Sequence, residues 1–104
     1  MRLEISYRDG EGHYAPVAAQ EVVQIVHRVS VPMWIERIEV SRPENESLDV
    51  LLTTNGGMAA RWSGLYCAEP VDIGWKVYPG DTVKVQVKNI GALSTLARIF
   101  LDYL

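Results

Sequence analysis

The stretch WKVYPGDTVKVQVKN, residues 75–89, joins a turn signal to the most regular alternation in the chain. Val83, Val85 and Val87 fall on one side of it, and polar residues occupy the positions between them. Such a period of two in β-branched residues is typical of a strand with one buried face. The Pro-Gly-Asp sequence at 79–81 predicts the turn that leads into this strand.

The same alternation recurs along the rest of the chain. Turn signals separate the segments about every 8 to 12 residues, which is typical of a sandwich or a small barrel. The sequence therefore predicts one all-β domain over residues 1–104, a single antiparallel β-sandwich of about eight short strands. The apolar residues predicted to lie on inner faces are Leu3, Ile5, Tyr7, Val23, Ile25, Val29, Val31, Trp34, Ile38, Val40, Leu48, Val50, Leu52, Ala97, Ile99, Leu101 and Tyr103.

Two segments, residues 18–29 and 93–104, also fit a helix. Val22, Ile25 and Val29 have helical spacing in the first, and a similar pattern occurs in the second. Because β-branched residues lose rotamer freedom in a helix and suit a pleated surface, we favour strands. The helical alternative stays open for both segments.

Length and composition exclude several classes of protein. A chain of 104 residues can bury one modest core without a disulfide. Its net charge is −3 and its ten basic residues are dispersed, so we expect no nucleic acid partner. Cys67 is the only cysteine, which favours a cytosolic origin. No apolar run has the length of a signal peptide or a membrane span, so we expect neither secretion by a signal peptide nor a membrane partner.

Residues that could carry chemistry are few and scattered. His13 and His27 are the only histidines, and neither lies at the spacing of a known metal motif. Cys67 has no base near it in the sequence, which a cysteine nucleophile needs. Ser63 lacks the glycine elbow of the hydrolases. The sequence therefore predicts a protein that is not an enzyme and needs no cofactor.

Aromatic residues are the best candidates for a binding surface, because tryptophan and tyrosine combine a large apolar ring with a polar group. The alternative is a structural role, in which tryptophans close the ends of the sandwich. We favour that alternative for Trp34 and leave both roles open for Trp62. The interface or ligand-binding candidates are Trp34, Trp62, Tyr66, Trp75 and Tyr78. The residues assigned to structural turns are Asn55, Gly56, Gly57, Pro79, Gly80 and Asp81.

The order of the segments carries a resemblance to a known group of proteins. A strand ending in VSVP is followed by MWIERIEV, DVLLTTNGG, EPVDIGWKVYPGDTVKVQVKN and a closing ARIFLDYL. This order resembles the small jelly-roll modules of tailed-phage virion proteins, which include head-decoration proteins, head fibres and tail-associated β-sandwiches. The resemblance extends over roughly residues 20–104.

The resemblance implies a jelly-roll type of sandwich and a structural role. A virion accessory protein of this kind would be made in the host cytoplasm and assembled into the virion. It would bind a capsid protein or another virion protein and form a homo-oligomer, of which a trimer is one candidate form. No catalytic residues are implied.

A second resemblance, to the jelly roll of some carbohydrate-binding modules, implies a different role. In such a module, Trp62, Tyr66 and Trp75 would stack on sugar rings. We rank this alternative second, because carbohydrate-binding modules are usually exported in tandem with an enzyme.

Overall fold

The computed structural model describes residues 1–41, 48–55, 57, 59–63 and 70–104. Within these ranges the regular secondary structure consists of β-strands, with no helix, so the predicted all-β fold class is confirmed. The strands are β1 (Arg2–Glu4), β2 (Pro16–Val17), β3 (Val22–Arg28), β4 (Met33–Ser41), β5 (Leu48–Thr54), β6 (Ala59–Ser63), β7 (Val71–Val77), β8 (Thr82–Asn89), β9 (Thr95–Leu96) and β10 (Arg98–Tyr103).

Both segments for which a helix remained open form strands. The first contains β3 and the second contains β9 and β10. In β3 the density of β-branched residues agrees with this outcome. In β10 alternate residues are buried from Ile99 to Leu101, as a pleated strand over a core requires.

Eight of the strands form two four-stranded antiparallel sheets, ordered β1-β10-β4-β7 and β3-β8-β5-β6. Along the chain, successive strands among these eight lie in opposite sheets. The exception is the β5–β6 hairpin, whose two strands lie in the same sheet. The predicted antiparallel sandwich of eight strands is therefore present, and its strand order is compatible with the jelly-roll type. The sequence pattern did not predict the additional two-stranded sheet of β2 and β9.

One hydrophobic core lies between the two large sheets. The valines at 83, 85 and 87 in β8 are fully buried, as their alternation predicts. Val31 is an exception to the predicted inner face: it is 52% exposed, because β3 ends at Arg28. The core residues are Ile5, Val17, Val23, Val29, Met33, Ile35, Ile38, Val40, Leu48, Val50, Leu52, Val77, Val83, Val85, Val87, Ala97, Ile99 and Leu101.

The predicted inner face of β4 is wrong in its first half. The alternation places Trp34 beside Ile38 and Val40, yet the Trp34 residue is 42% exposed. Met33 and Ile35 are buried in its place. A strict period of two cannot put both Ile35 and Ile38 on one face, since they are separated by three positions.

A β-bulge in β4 provides the change of phase. Tyr103 of β10 lies opposite Ile35, and the next residue back, Asp102, lies opposite Arg37. Glu36 is therefore an additional residue in β4, and a bulge of this kind bends the strand locally. The residues before and after Glu36 can then share the inner face.

A buried asparagine holds the loop that follows β8. Asn89 is fully buried. Its side-chain amide donates to the carbonyl oxygens of Val17 (2.9 Å) and Leu93 (2.7 Å), and its Oδ1 accepts from the Gly91 N–H (2.9 Å). These bonds tie β2 and the loop before β9 to the end of β8, and they satisfy polar groups that would otherwise be costly to bury.

The Pro-Gly-Asp turn between β7 and β8 has the predicted form. The Asp81 N–H donates to the Tyr78 carbonyl oxygen at 2.9 Å, and Gly80 has a φ of +93°. Proline in the second position and glycine at positive φ in the third are typical of a type II turn. Asp81 Oδ2 accepts a hydrogen bond from the Tyr78 N–H at 2.8 Å. We therefore assign this turn a structural role.

We expect Gly80→Val to destabilise the protein by more than about 1 kcal/mol, because a β-branched residue at positive φ is strongly strained. Gly10→Val is the matched control: an added Cβ meets open space at both positions, but only Gly80 has a φ in the left-handed region. Thermal unfolding should show a clear loss of melting temperature for Gly80→Val alone. Equal losses in both variants would contradict the strain argument.

Candidate functional site

The structure separates the five aromatic candidates. Trp34 is 42% exposed and Tyr78 is 58% exposed, so both present part of their surface to solvent. Trp75 points inward and packs against the core. Trp62 lies in β6, where only its backbone is described, and Tyr66 lies outside the described residues.

Trp34 and Tyr78 both neighbour Lys76, which lies on the outer face of the β1-β10-β4-β7 sheet. Trp34 is the cross-strand partner of Lys76, whose Nζ is 5.9 Å from the centroid of the Tyr78 ring. The backbone of Leu104, a residue 71% exposed, bonds to the backbone of Trp34 (Leu104 N to Trp34 O, 3.0 Å). We call these four residues the Trp34 patch.

A glycine of β7 lies beside the Trp34 ring. Gly74 in β7 has a φ of +69°, and a Cβ added there would lie 3.6 Å from Cζ2 of Trp34. The indole therefore lies beside bare backbone at the point where β4 carries its bulge. The ring lies on the outer face, and part of its surface is open to a partner.

The Trp34 patch has the composition of a protein-binding surface. Trp34 lies between Lys76 on one neighbouring strand and the exposed Leu104 on the other side, and Tyr78 lies beside Lys76. Tryptophan and tyrosine contribute a large share of the binding energy at many interfaces, because they bury much area at a small entropic cost. The patch can therefore bind an apolar surface that presents a carboxylate to Lys76.

Charged residues cover the outer face next to the patch. Arg2 forms ion pairs with Asp102 (Nε to Oδ1, 2.8 Å) and Glu39 (Nη2 to Oε2, 2.7 Å). Arg37 lies 4.0 Å from Asp72 across the β4–β7 pair. The hydrogen bond from Arg2 holds the pKa of Asp102 below its usual value. This part of the face is already paired within the protein.

Glu4 is the centre of a second cluster on the same face. Its carboxylate accepts hydrogen bonds from the Tyr14 hydroxyl and the Ser6 hydroxyl (3.0 Å), and it lies 3.2 Å from Arg8 and 3.7 Å from Arg98. The pKa of Glu4 is lowered, first because Tyr14 donates to the charged form, and also because Ser6 donates and the two arginines are close.

Guanidinium groups cover the other aromatic rings of this face. Arg8 lies 4.1 Å and Arg98 lies 5.1 Å from the centroid of the Tyr14 ring. Arg2 and Arg98 lie 4.9 and 5.4 Å from the centroid of Phe100. The rings therefore make cation–π contacts within the protein. Sequence analysis missed this cluster, although the outward charges at the two ends of the chain are a signal of it.

The histidines lie apart from the patch. His13 is in a loop, with its Nδ1 3.7 Å from both Asp9 and Glu11, and His27 lies on β3. Among the described residues, no group of three or more His, Cys, Asp or Glu side chains could hold a metal ion. The described ranges also contain no helix of the length and apolar character that a membrane crossing needs.

We expect the melting temperature to fall as the pH drops below about 4, because the pKa values of Glu4 and Asp102 are lowered in the folded state. A lowered pKa stabilises the fold above the unfolded-state pKa, and this contribution is lost as the pH falls through the folded-state pKa. Glu4→Gln should lower the melting temperature at pH 7 and reduce its further fall in acid. Glu11→Gln, which changes an exposed loop carboxylate, is the control. An unchanged acid slope in Glu4→Gln would contradict this role.

No protein-family model matches the chain, and no curated protein is significantly similar to it in sequence.

Proposed function

We propose that this chain is a non-enzymatic structural protein that binds a protein partner through the Trp34 patch and also self-associates. The observation that carries the proposal is the pair of partly exposed rings, Trp34 and Tyr78, beside a face whose other described charges and rings are largely paired. Exposed aromatic residues grouped in this way are typical of interaction sites.

A protein partner fits the patch better than a sugar does. Aliphatic side chains accompany the two rings: Leu104 is 71% exposed, and Val31, in the connection at the same end of the sandwich, is 52% exposed. Sugar sites place carboxylates and amides beside the stacking ring to bind hydroxyl groups, whereas aliphatic neighbours suit apolar protein side chains. Trp75, one of the three residues in the carbohydrate alternative, packs against the core.

The most specific form of the proposal is a virion accessory protein, made in the host cytoplasm and assembled onto a capsid or another virion protein. The support is the order of segments that resembles tailed-phage jelly-roll modules, together with the antiparallel sandwich. The genes beside the coding sequence test this class directly. Capsid or portal genes there would support it, and a neighbourhood of sugar-degrading enzymes would contradict it.

We expect Trp34→Ala and Tyr78→Ala each to weaken binding to shells of the neighbouring major capsid protein by at least about tenfold, the loss typical of a buried aromatic anchor. Co-sedimentation with purified shells measures the affinity. Because both residues are partly exposed, the melting temperature should change little.

Lys84→Ala is the control, since Lys84 is exposed on the opposite sheet. A loss of affinity in Lys84→Ala alone would place the docking surface on that sheet. Quenching of tryptophan fluorescence by soluble glycans, lost in Trp34→Ala, would favour the carbohydrate alternative instead.

A further inference from the structure

Strand β3 forms an open and regular edge of the second sheet. Within the described residues it pairs only with β8, in one register over all seven positions and without a bulge. Its sequence, VVQIVHR, contains neither proline nor glycine. Val22 and Val26 are 49% and 60% exposed on its outer side.

The free backbone groups of β3 belong to its even-numbered residues. The Asn89 N–H donates to the Glu21 carbonyl oxygen (3.0 Å) and the Val29 N–H donates to the Asp81 carbonyl oxygen (2.9 Å), in the register that β3 shares with β8. Because alternate residues of an antiparallel strand bond to the same neighbour, the odd-numbered residues bond toward β8. The residues that direct N–H and C=O to the open edge are therefore Val22, Gln24, Val26 and Arg28.

Two other edges of the sandwich have features that oppose strand addition. The edge strand β7 contains Gly74 at positive φ, a register shift opposite β4, and the exposed charges of Asp72 and Lys76. Strand β1 has only three residues, two of which are charged. Proteins commonly use bulges, charges and short strands to block edge pairing. Strand β3 has none of these until Arg28.

We infer that β3 pairs antiparallel with β3 of a second copy of this chain, so that two four-stranded sheets become one continuous sheet across a two-fold axis. This contact would be the surface for the self-association in the proposed function. The inference rests on the self-association and not on docking through the Trp34 patch. Main-chain hydrogen bonds would supply much of the affinity, as in other cases of strand addition.

The apolar side chains select the register. With Gln24 opposite its own copy, Val22 faces Val26 of the second copy twice, and both exposed valines become covered. On the other side of the strand, Glu21 then faces His27 of the second copy, which brings an acidic residue to an imidazole. A shift by two residues in one direction leaves Val22 opposite Arg28. A shift in the other direction leaves Val22 opposite Gln24 and Val26 opposite Gln20, which lies outside the strand.

Disulfide cross-linking in a Cys67→Ser background tests this register. Gln24→Cys places two cysteines opposite each other, with Cα atoms about 5.5 Å apart, which a disulfide can span. Val26→Cys is the matched control, because its two copies would be offset by four residues, or about 13 Å along the strand. We expect a cross-linked dimer under mild oxidation for Gln24→Cys and at least tenfold less for Val26→Cys.

Charge pairs test the same contact in the absence of a cross-link. The double variant Val22→Lys, Val26→Lys places a lysine opposite a lysine at both of these cross-strand pairs. The dimer dissociation constant measured by sedimentation should therefore rise at least tenfold. Val22→Glu with Val26→Lys places opposite charges there and should keep the dimer. Melting temperatures show that both double variants are folded.

A wild-type protein that stays monomeric at the highest concentrations, with no Gln24→Cys cross-link, would overturn the inference. A dimer that persists in the double-lysine variant and does not cross-link at Gln24→Cys would also overturn it and would place self-association on another surface. In either case, shell binding that depends on Trp34 would be unaffected, so the failure of this inference and the failure of the proposed docking are distinguishable.

Discussion

The β-bulge at Glu36 is the constraint on which the outer face of the first sheet depends. Strand β4 lies between β10 and β7, so its inner face must supply the core along its whole length. Met33 and Ile35 precede the bulge, and Ile38 and Val40 follow it, and all four are buried. Without the additional residue, one of these pairs would point to solvent, at a cost of about 1.5 to 3 kcal/mol for each side chain. The same change of phase turns Trp34 outward.

The outer surfaces of the two sheets differ in how many of their charged and hydrogen-bonding groups are paired within the protein. On the first sheet, arginines hold Asp102 and Glu39 and cover Phe100, so a partner gains little by approaching there. Exposed ion pairs of this kind contribute little to affinity. Trp34 lies outside that network. On the second sheet, β3 pairs only with β8 among the described residues, so its other edge carries unpaired backbone groups. Docking and self-association can therefore use separate parts of the molecule.

Regular strands could be predicted from the sequence and irregular ones could not. In β5 and β8 each buried residue follows the last by two positions, so the alternation alone places Leu48 and Val83 in the core. The β-turn at Gly80 could be predicted equally well, because proline followed by glycine is typical of the two central positions of such a turn. Trp34 was misplaced because a bulge resets the period. The three-residue interval from Ile35 to Ile38 was the available signal.

The cluster around Glu4 could not be predicted in the same way, because it joins residues from opposite ends of the chain. The same long-range pairing has a consequence for the order of folding. The Met1 amino group bonds to the Tyr103 carbonyl oxygen across 102 positions, and β10 lies between β1 and β4. The first sheet therefore lacks its inner strand β10 until residues 98–103 have left the ribosome. Chain closure over such separations is slow, and the backbone edge of β4 that pairs with β10 stays unpaired meanwhile. During synthesis, this unpaired edge is open to a chaperone or to a strand of a neighbouring nascent chain.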